Sequence, residues 1–154
     1  MSIQSYIEAA KLLAKTGDYD EQALCLACMA VDATAAQAYP NIKQNGIRYK
    51  QFIDEHFRTI TEYGFPGISA DTILIKVNTP IKKLIPDADG YVSMTNIIYH
   101  ALRCDLVHNC SIHNTITFTE HTIIGNWEED KFYLPKALIN GLFAAIEEFF
   151  TTGK

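Results

Sequence analysis

The stretch SMTNIIYHALRCDLVHN, residues 93–109, carries the most informative pattern in this chain. Ser93 is a good N-cap, and the apolar residues after it recur at helical spacing, so the stretch predicts a helix that ends near Asn109. These apolar residues occupy two sides of the helix, which favours its use in self-association as well as in the core. We therefore expect a homodimer with this helix near the interface.

The same helix places Arg103 five residues before His108. Arginine is always charged and grips phosphate with a planar fork, whereas the histidine imidazole exchanges protons near neutral pH, so the pair suits phosphodiester chemistry. Asp105 lies within reach of His108 on a helix and would orient its imidazole. On an ideal helix Arg103 and His108 diverge by about 140°. A purely structural interpretation, in which Arg103 pairs with a surface carboxylate and Asp105 with His108, stays open.

The segments around this helix predict a mainly α-helical, up-and-down bundle of about five helices. The other helices are predicted from a Ser2 cap to Gly17, from an Asp18 or Asp20 cap to about Ala38, from about Ile42 to Tyr63, and from Pro135 to near Thr151. The second of these is apolar nearly all round, which predicts a central position in the bundle.

The remaining segments favour short β-structure. The residue types predict a strand or extended arm at Thr72–Val77, an irregular connection from Pro80 to Gly90, and a small β-hairpin insertion before the last helix, built from Thr115–Glu120 with returning strands at Thr122–Trp127 and Lys131–Leu134. A chain of 154 residues fits one domain, 1–154.

The charge pattern limits the classes of partner. A net charge of −5 argues against a protein that coats nucleic acid non-specifically, but it permits a local positive cleft. Several basic residues could form such a rim, although interspersed acidic residues favour a solvated face. They are Lys43, Arg48, Lys50, Arg58, Lys76, Lys82 and Lys83.

The amino-terminal segment and the cysteines favour a cytoplasmic protein. Charged residues interrupt the apolar positions of Met1–Thr16, which predicts neither a signal peptide nor a membrane span, and no other apolar run reaches spanning length. The four cysteines are expected to be reduced. Cys25 and Cys28 have CxxC spacing, but they lie inside a predicted helix and are interpreted as small buried hydrophobes.

The run Leu102-Arg-Cys-Asp-Leu-Val-His108, late in a helical bundle, resembles the RxxxxH signature of the HEPN superfamily (higher eukaryotes and prokaryotes nucleotide-binding). The resemblance implies an all-helical domain that dimerises so that two motifs face one cleft. It implies a metal-independent endoribonuclease in which His108 assists attack by an RNA 2′-hydroxyl and Arg103 binds the phosphate, with no cofactor. Cys104, Asp105 and Asn109 would support this pair.

The resemblance also leaves alternatives. In many active members the residue directly after the arginine is polar, whereas this chain has Cys104 there. Other members are non-catalytic modules, so binding of a nucleotide, RNA or a protein partner is the second hypothesis. A toxin role with an antitoxin partner is a further expectation by analogy.

A zinc site is the competing interpretation of the same helix. His100, Cys104 and His108 recur at four-residue intervals, and Cys110 and His113 follow. Arg103 beside such ligands is electrostatically unfavourable, and the stretch contains no recognised zinc motif. We therefore expect no bound metal.

Overall fold

The computed structural model describes residues 2–78, 80–81, 83–128 and 130–153, with Trp127 described by its backbone alone. Its helices are α1 (Ile3–Thr16), α2 (Asp20–Ala38), α3 (Asn45–Glu55), α4 (Phe57–Gly64), α5 (94–109) and α6 (Leu138–Thr152). Its strands are β1 (Leu74–Lys76), β2 (Tyr91–Ser93), β3 (Ile116–Thr119), β4 (Gly125–Glu128) and β5 (Lys131–Pro135). The mainly helical class is confirmed. Within the described ranges, no helix combines the length and apolarity that crossing a bilayer requires.

The first two helices follow the predicted boundaries. The Ser2 and Ser5 side chains form a reciprocal capping box at the start of α1, and Gly17 ends it with φ of 75°, a conformation that glycine adopts without strain. Helix α2 begins after Tyr19 rather than at an aspartate cap, and Asp20 lies in its first turn, where the helix dipole favours a carboxylate. Helix α2 contacts α1, α3, α5 and α6, so its predicted central position is confirmed.

The expected single helix from Ile42 to Tyr63 is wrong. The chain forms α3 and α4 instead, separated at His56. The His56 side chain is buried, and its Nδ1 lies 2.6 Å from Oε2 of Glu148 on α6. The break lets α3 pack on α2 while α4 packs on α6. Periodicity did not reveal it because both halves keep helical spacing.

The β-structure also differs from the expectation. Strand β2, which follows the predicted irregular connection Pro80–Gly90 and was not predicted as a strand, pairs antiparallel with β1. The predicted hairpin exists only as β4 and β5, and β3 joins them in a three-stranded sheet of order β3-β5-β4 by pairing parallel with β5. Apolar alternation marks a strand but does not fix the direction of its partner.

Pro135 does not open the last helix, as the sequence had suggested. It is the last residue of β5, opposite Thr119, and the Lys136 N–H donates a hydrogen bond to the Thr119 carbonyl. Pairing with β3 therefore holds the chain extended, and α6 begins only at Leu138.

The predicted motif helix is confirmed as α5, with Ser93 as its cap. Residues on both of its apolar sides are buried inside one chain, since α2 and α3 pack against it and Ile98 and Leu102 on one side are fully buried. Leu106, on the other side, is buried, whereas Val107 keeps 37% exposure. Two-sided apolarity therefore does not require a dimer.

Close backbone packing joins α4 to α6. A Cβ at Gly141 would lie 2.5 Å from the Ile60 carbonyl oxygen. We predict that Gly141→Ala lowers the free energy of unfolding by about 1 to 3 kcal/mol, because the backbone contact must open. Urea unfolding measures this change. Asn140→Ala, at an exposed neighbour, is the control, and equal stability of the two variants would contradict the packing.

Candidate functional site around Arg103

Arg103 lies at the end of a wide helical segment. Residues Ile97–Arg103 form a π-helix within α5, and the Cys104 N–H donates to the Tyr99 carbonyl, five residues back. Such wide turns occur frequently at functional sites because they redirect side chains that a regular helix would align differently. The distortion falls directly before the predicted motif.

The Arg103 guanidinium points toward α2. Its Nε donates to Oδ2 of Asp32 at 2.8 Å, and the two side chains keep only 11% and 18% of their accessible surface. Its Nη1 lies 3.9 Å from Cys104 Sγ, a weak contact, and no described residue accepts a hydrogen bond from Nη2. Arg103 is therefore anchored at one edge and keeps donors free at the other.

His108 lies on a different side of α5. It is exposed in the last turn of the helix. Regular α-helix follows Arg103, so the expected divergence of about 140° between the two positions holds over this turn. Within one chain, Arg103 is directed at α2 while His108 faces solvent.

The three predicted supporting residues are also separated. Cys104 is buried beside Arg103, and Asn109 is exposed at the end of α5. Asp105 is buried, and no hydrogen bond joins it to His108 among the described residues. The geometry gives Asp105 no orienting contact with the imidazole.

Asp32 belongs to the candidate site although no sequence motif points to it. It is the only charged residue between Glu21 and Lys43, in an otherwise apolar and small-residue helix. A carboxylate in such a run is costly unless it has a partner, and that signal could have identified it. Because Asp32 and Arg103 are 71 positions apart in the chain, the sequence does not indicate that they pair.

Burial dominates the electrostatics of Asp32. Burial raises the pKa of its carboxyl group, while the hydrogen bond and charge of Arg103, followed by Asn45 and Arg48, act in the opposite direction. Oδ1 of Asp32 and Nε of Arg48 are buried and form no hydrogen bond of ordinary geometry with a described residue. Buried polar atoms at the Arg103–Asp32 pair therefore remain without a hydrogen bond of ordinary geometry.

The cysteines do not form a redox pair of the CxxC kind. Cys28 is completely buried, and burial raises the pKa of its thiol to about 12, so a reactive thiolate is disfavoured. All four cysteines are free thiols. For Cys28 the interpretation as a small buried hydrophobe agrees with the structure.

The predicted zinc stripe is dispersed. His100 is half-buried, Cys104 is buried and His108 is exposed, and nowhere among residues that the structure describes do three such ligands converge. We predict less than stoichiometric zinc in purified protein, measured by inductively coupled plasma mass spectrometry. One tightly held equivalent per chain that disappears in Cys104→Ser would contradict this.

A surface strip surrounds the Arg103–Asp32 pair. Helices α2 and α5 run antiparallel, because Asp32 pairs with Arg103 and, seven positions away on each side, Cys25 interacts electrostatically with Cys110. Met29 and Val107 fall between these pairs and are 40% and 37% exposed. We call this strip the motif face; it comprises Cys25, Met29 and Asp32 of α2 and Arg103, Val107 and Cys110 of α5 and its cap.

Comparison with known proteins places the chain in a family without naming an activity. A search of the curated proteins and of the solved structures finds no match. The model of the Rv1289 family matches residues 2–147, which is nearly the whole chain. The chain therefore belongs to the Rv1289 family.

Proposed function

We propose that this protein is a metal-independent endoribonuclease of the HEPN type whose active site is completed by a second copy of the chain. The observation that carries the proposal is the position of Arg103, anchored by Asp32 in the motif face between exposed Met29 and Val107. Exposed apolar side chains beside an arginine that keeps free donors suit a face that is covered by a partner.

A second copy of the chain also explains how Arg103 and His108 can act together although they diverge on one helix. If two motif faces meet around a two-fold axis, His108 at the edge of one copy approaches Arg103 of the other. Each protomer then supplies one half of a composite site, which its own helix geometry does not form. The resemblance of the motif to RxxxxH signatures supports the same arrangement.

The chemistry assigns a role to each group. His108 takes the proton of an RNA 2′-hydroxyl, the 2′-oxygen forms a bond to the neighbouring phosphorus, and the bond from phosphorus to the 5′-oxygen breaks. The leaving 5′-oxygen receives a proton from an imidazolium. The free donors of Arg103 hold the non-bridging phosphate oxygens as their charge increases. The products are a 2′,3′-cyclic phosphate and a 5′-hydroxyl.

Single-stranded RNA and DNA of one sequence test this activity in the presence of a chelator. The proposal predicts cleavage of the RNA and survival of the DNA, which lacks the attacking hydroxyl. Val107→Glu should shift the protein from dimer to monomer by light scattering and reduce cleavage in parallel, because it places a charge in the motif face. Leu12→Glu, at a site that is 65% exposed on α1, is the matched control. A monomeric wild type would contradict the composite site.

The burial of Arg103 favours a second candidate function. With only 9% exposure and a carboxylate partner, Arg103 also suits a structural role in a non-catalytic module that binds a nucleotide, RNA or a protein. Binding without cleavage by the wild type would select this candidate. A cytoplasmic location, and a toxin role held in check by an antitoxin protein, are compatible with the proposed ribonuclease.

A further inference from the structure

The Tyr99 ring connects Arg103 to a second group of cations. Cζ of Arg103 lies 5.5 Å from the ring centroid, and Nζ of Lys50 lies 5.7 Å from it. Cations over an aromatic face are attracted by its quadrupole. Cations from two helices, Arg103 of α5 and Lys50 of α3, therefore lie over the half-buried Tyr99 ring.

A glycine permits this placement. The Tyr99 ring packs across the first turn of α3, where a Cβ at Gly46 would lie 2.8 Å from the Tyr99 hydroxyl. In the folded chain Gly46 gives the ring room beside Lys50.

The next residue after Tyr99, His100, lies near the same lysine of α3. The His100 ring lies 4.9 Å from the Tyr99 ring, centroid to centroid. Burial first, and then the charges of Lys50 and Lys83, lower the pKa of His100, which favours its neutral form. We call the continuous set of Arg103, Tyr99, Lys50, His100 and Lys83 the basic strip.

Two of the acidic groups beside the basic strip are paired with arginines. Asp32 is paired with Arg103. Asp54 and Asp71 share a shallow cavity with Lys50; Asp71 is paired with Arg58, whereas Asp54 accepts a hydrogen bond from the neutral Thr95 hydroxyl and keeps its charge.

The two lysines of the basic strip, by contrast, are available. Neither Lys50 nor Lys83 forms an ion pair with a described residue. Lys82, another member of the predicted rim, lies outside the described residues.

We propose that single-stranded RNA lies along the basic strip, with its phosphates on Lys50 and Lys83 and one base against Tyr99, and so enters the site at Arg103. This inference rests on the proposed ribonuclease and names the surface that presents its substrate. Aromatic rings among spaced cations fit a single strand, because every base offers a face for stacking while the cations follow the backbone. A duplex hides its base faces and would gain only the charge contacts.

The test uses binding of an oligonucleotide that cannot be cleaved. A fluorescent 2′-O-methyl RNA strand of about 10 nucleotides suits the short site expected, and anisotropy is measured over a series of salt concentrations. Tyr99→Leu should weaken binding by about 5- to 150-fold through loss of one stacked base. Lys50→Gln and Lys83→Gln should each lower the steepness of the salt dependence by about 0.7.

Two controls make the outcome specific. Lys15→Gln, at an exposed lysine at the end of α1, removes the same charge away from the basic strip and should leave affinity and salt dependence close to those of the wild type. Tyr99→Phe keeps the ring and should retain binding, which separates stacking from a folding defect. Equal affinity of wild type, Lys50→Gln and Lys83→Gln would overturn the proposal.

The two proposals fail in different ways. If Lys50→Gln and Lys83→Gln cleave RNA at the wild-type rate, the RNA-binding role of the basic strip is wrong and the proposed ribonuclease activity still stands. Binding that depends on these lysines, in a protein that cleaves nothing, would support the strip and exclude the nuclease.

Discussion

His108→Ala is expected to reduce the rate of RNA cleavage by about 100-fold or more, because general acid–base catalysis by a positioned imidazole typically contributes that much. His108 is exposed, so its loss should leave the fold and the dimer intact. The rate is measured on single-stranded RNA with chelator present, with circular dichroism and light scattering on the same samples.

The control for this loss is another exposed histidine. His121→Ala removes an imidazole between β3 and β4 and should cleave at the wild-type rate. Arg103→Lys keeps the charge but not the planar fork, and should lose most of the activity. Unchanged cleavage in His108→Ala would mean that the activity belongs to another site or another protein.

Asp32→Ala is expected to lower the free energy of unfolding by about 2 to 4 kcal/mol, because it leaves the Arg103 guanidinium largely buried without its carboxylate partner. Urea unfolding followed by circular dichroism measures the change. Asp18→Ala, at an exposed carboxylate before α2, should change stability little.

A double variant separates the pair from its surroundings. Asp32→Leu combined with Arg103→Met removes both charges and fills much of the same space, so it should recover most of the stability lost in Asp32→Ala. A double variant as unstable as the single one would show that Asp32 acts through contacts other than Arg103.

Local signals predicted the helices well. Ser2 and Gly17 mark the two ends of α1, and Ser93 marks the start of α5. These ends were predictable because caps act through hydrogen bonds and backbone angles within a few residues. The apolar run in α2 predicted a central helix because such a surface has to be buried on all sides.

The errors arose where distant partners decide the structure. At the break between α3 and α4 His56 contacts the distant Glu148, and Pro135 stays extended because β5 pairs with β3. Neither partner lies within the window in which periodicity is read. The parallel pairing of β3 with β5 has the same origin.

The same dependence on distant partners explains why only part of the candidate site was predicted. Arg103 and His108 were recognisable because a short motif carries them, whereas Asp32 and Lys50 reach Arg103 and Tyr99 only through the packing of α2 and α3 on α5. The π-helix before Arg103 had no sequence signal, since it changes the hydrogen-bonding register and not the residue types.

A DNA strand that contains a single ribonucleotide tests the central claim most directly. Only that position offers a 2′-hydroxyl, so mass spectrometry of the products made in the presence of chelator reports both the site and the chemistry of cleavage. The proposed mechanism predicts one cut, directly after the ribonucleotide, with a 2′,3′-cyclic phosphate on one fragment and a 5′-hydroxyl on the other. An intact strand under conditions in which all-RNA is also left uncut, or cuts at deoxynucleotides, would contradict it.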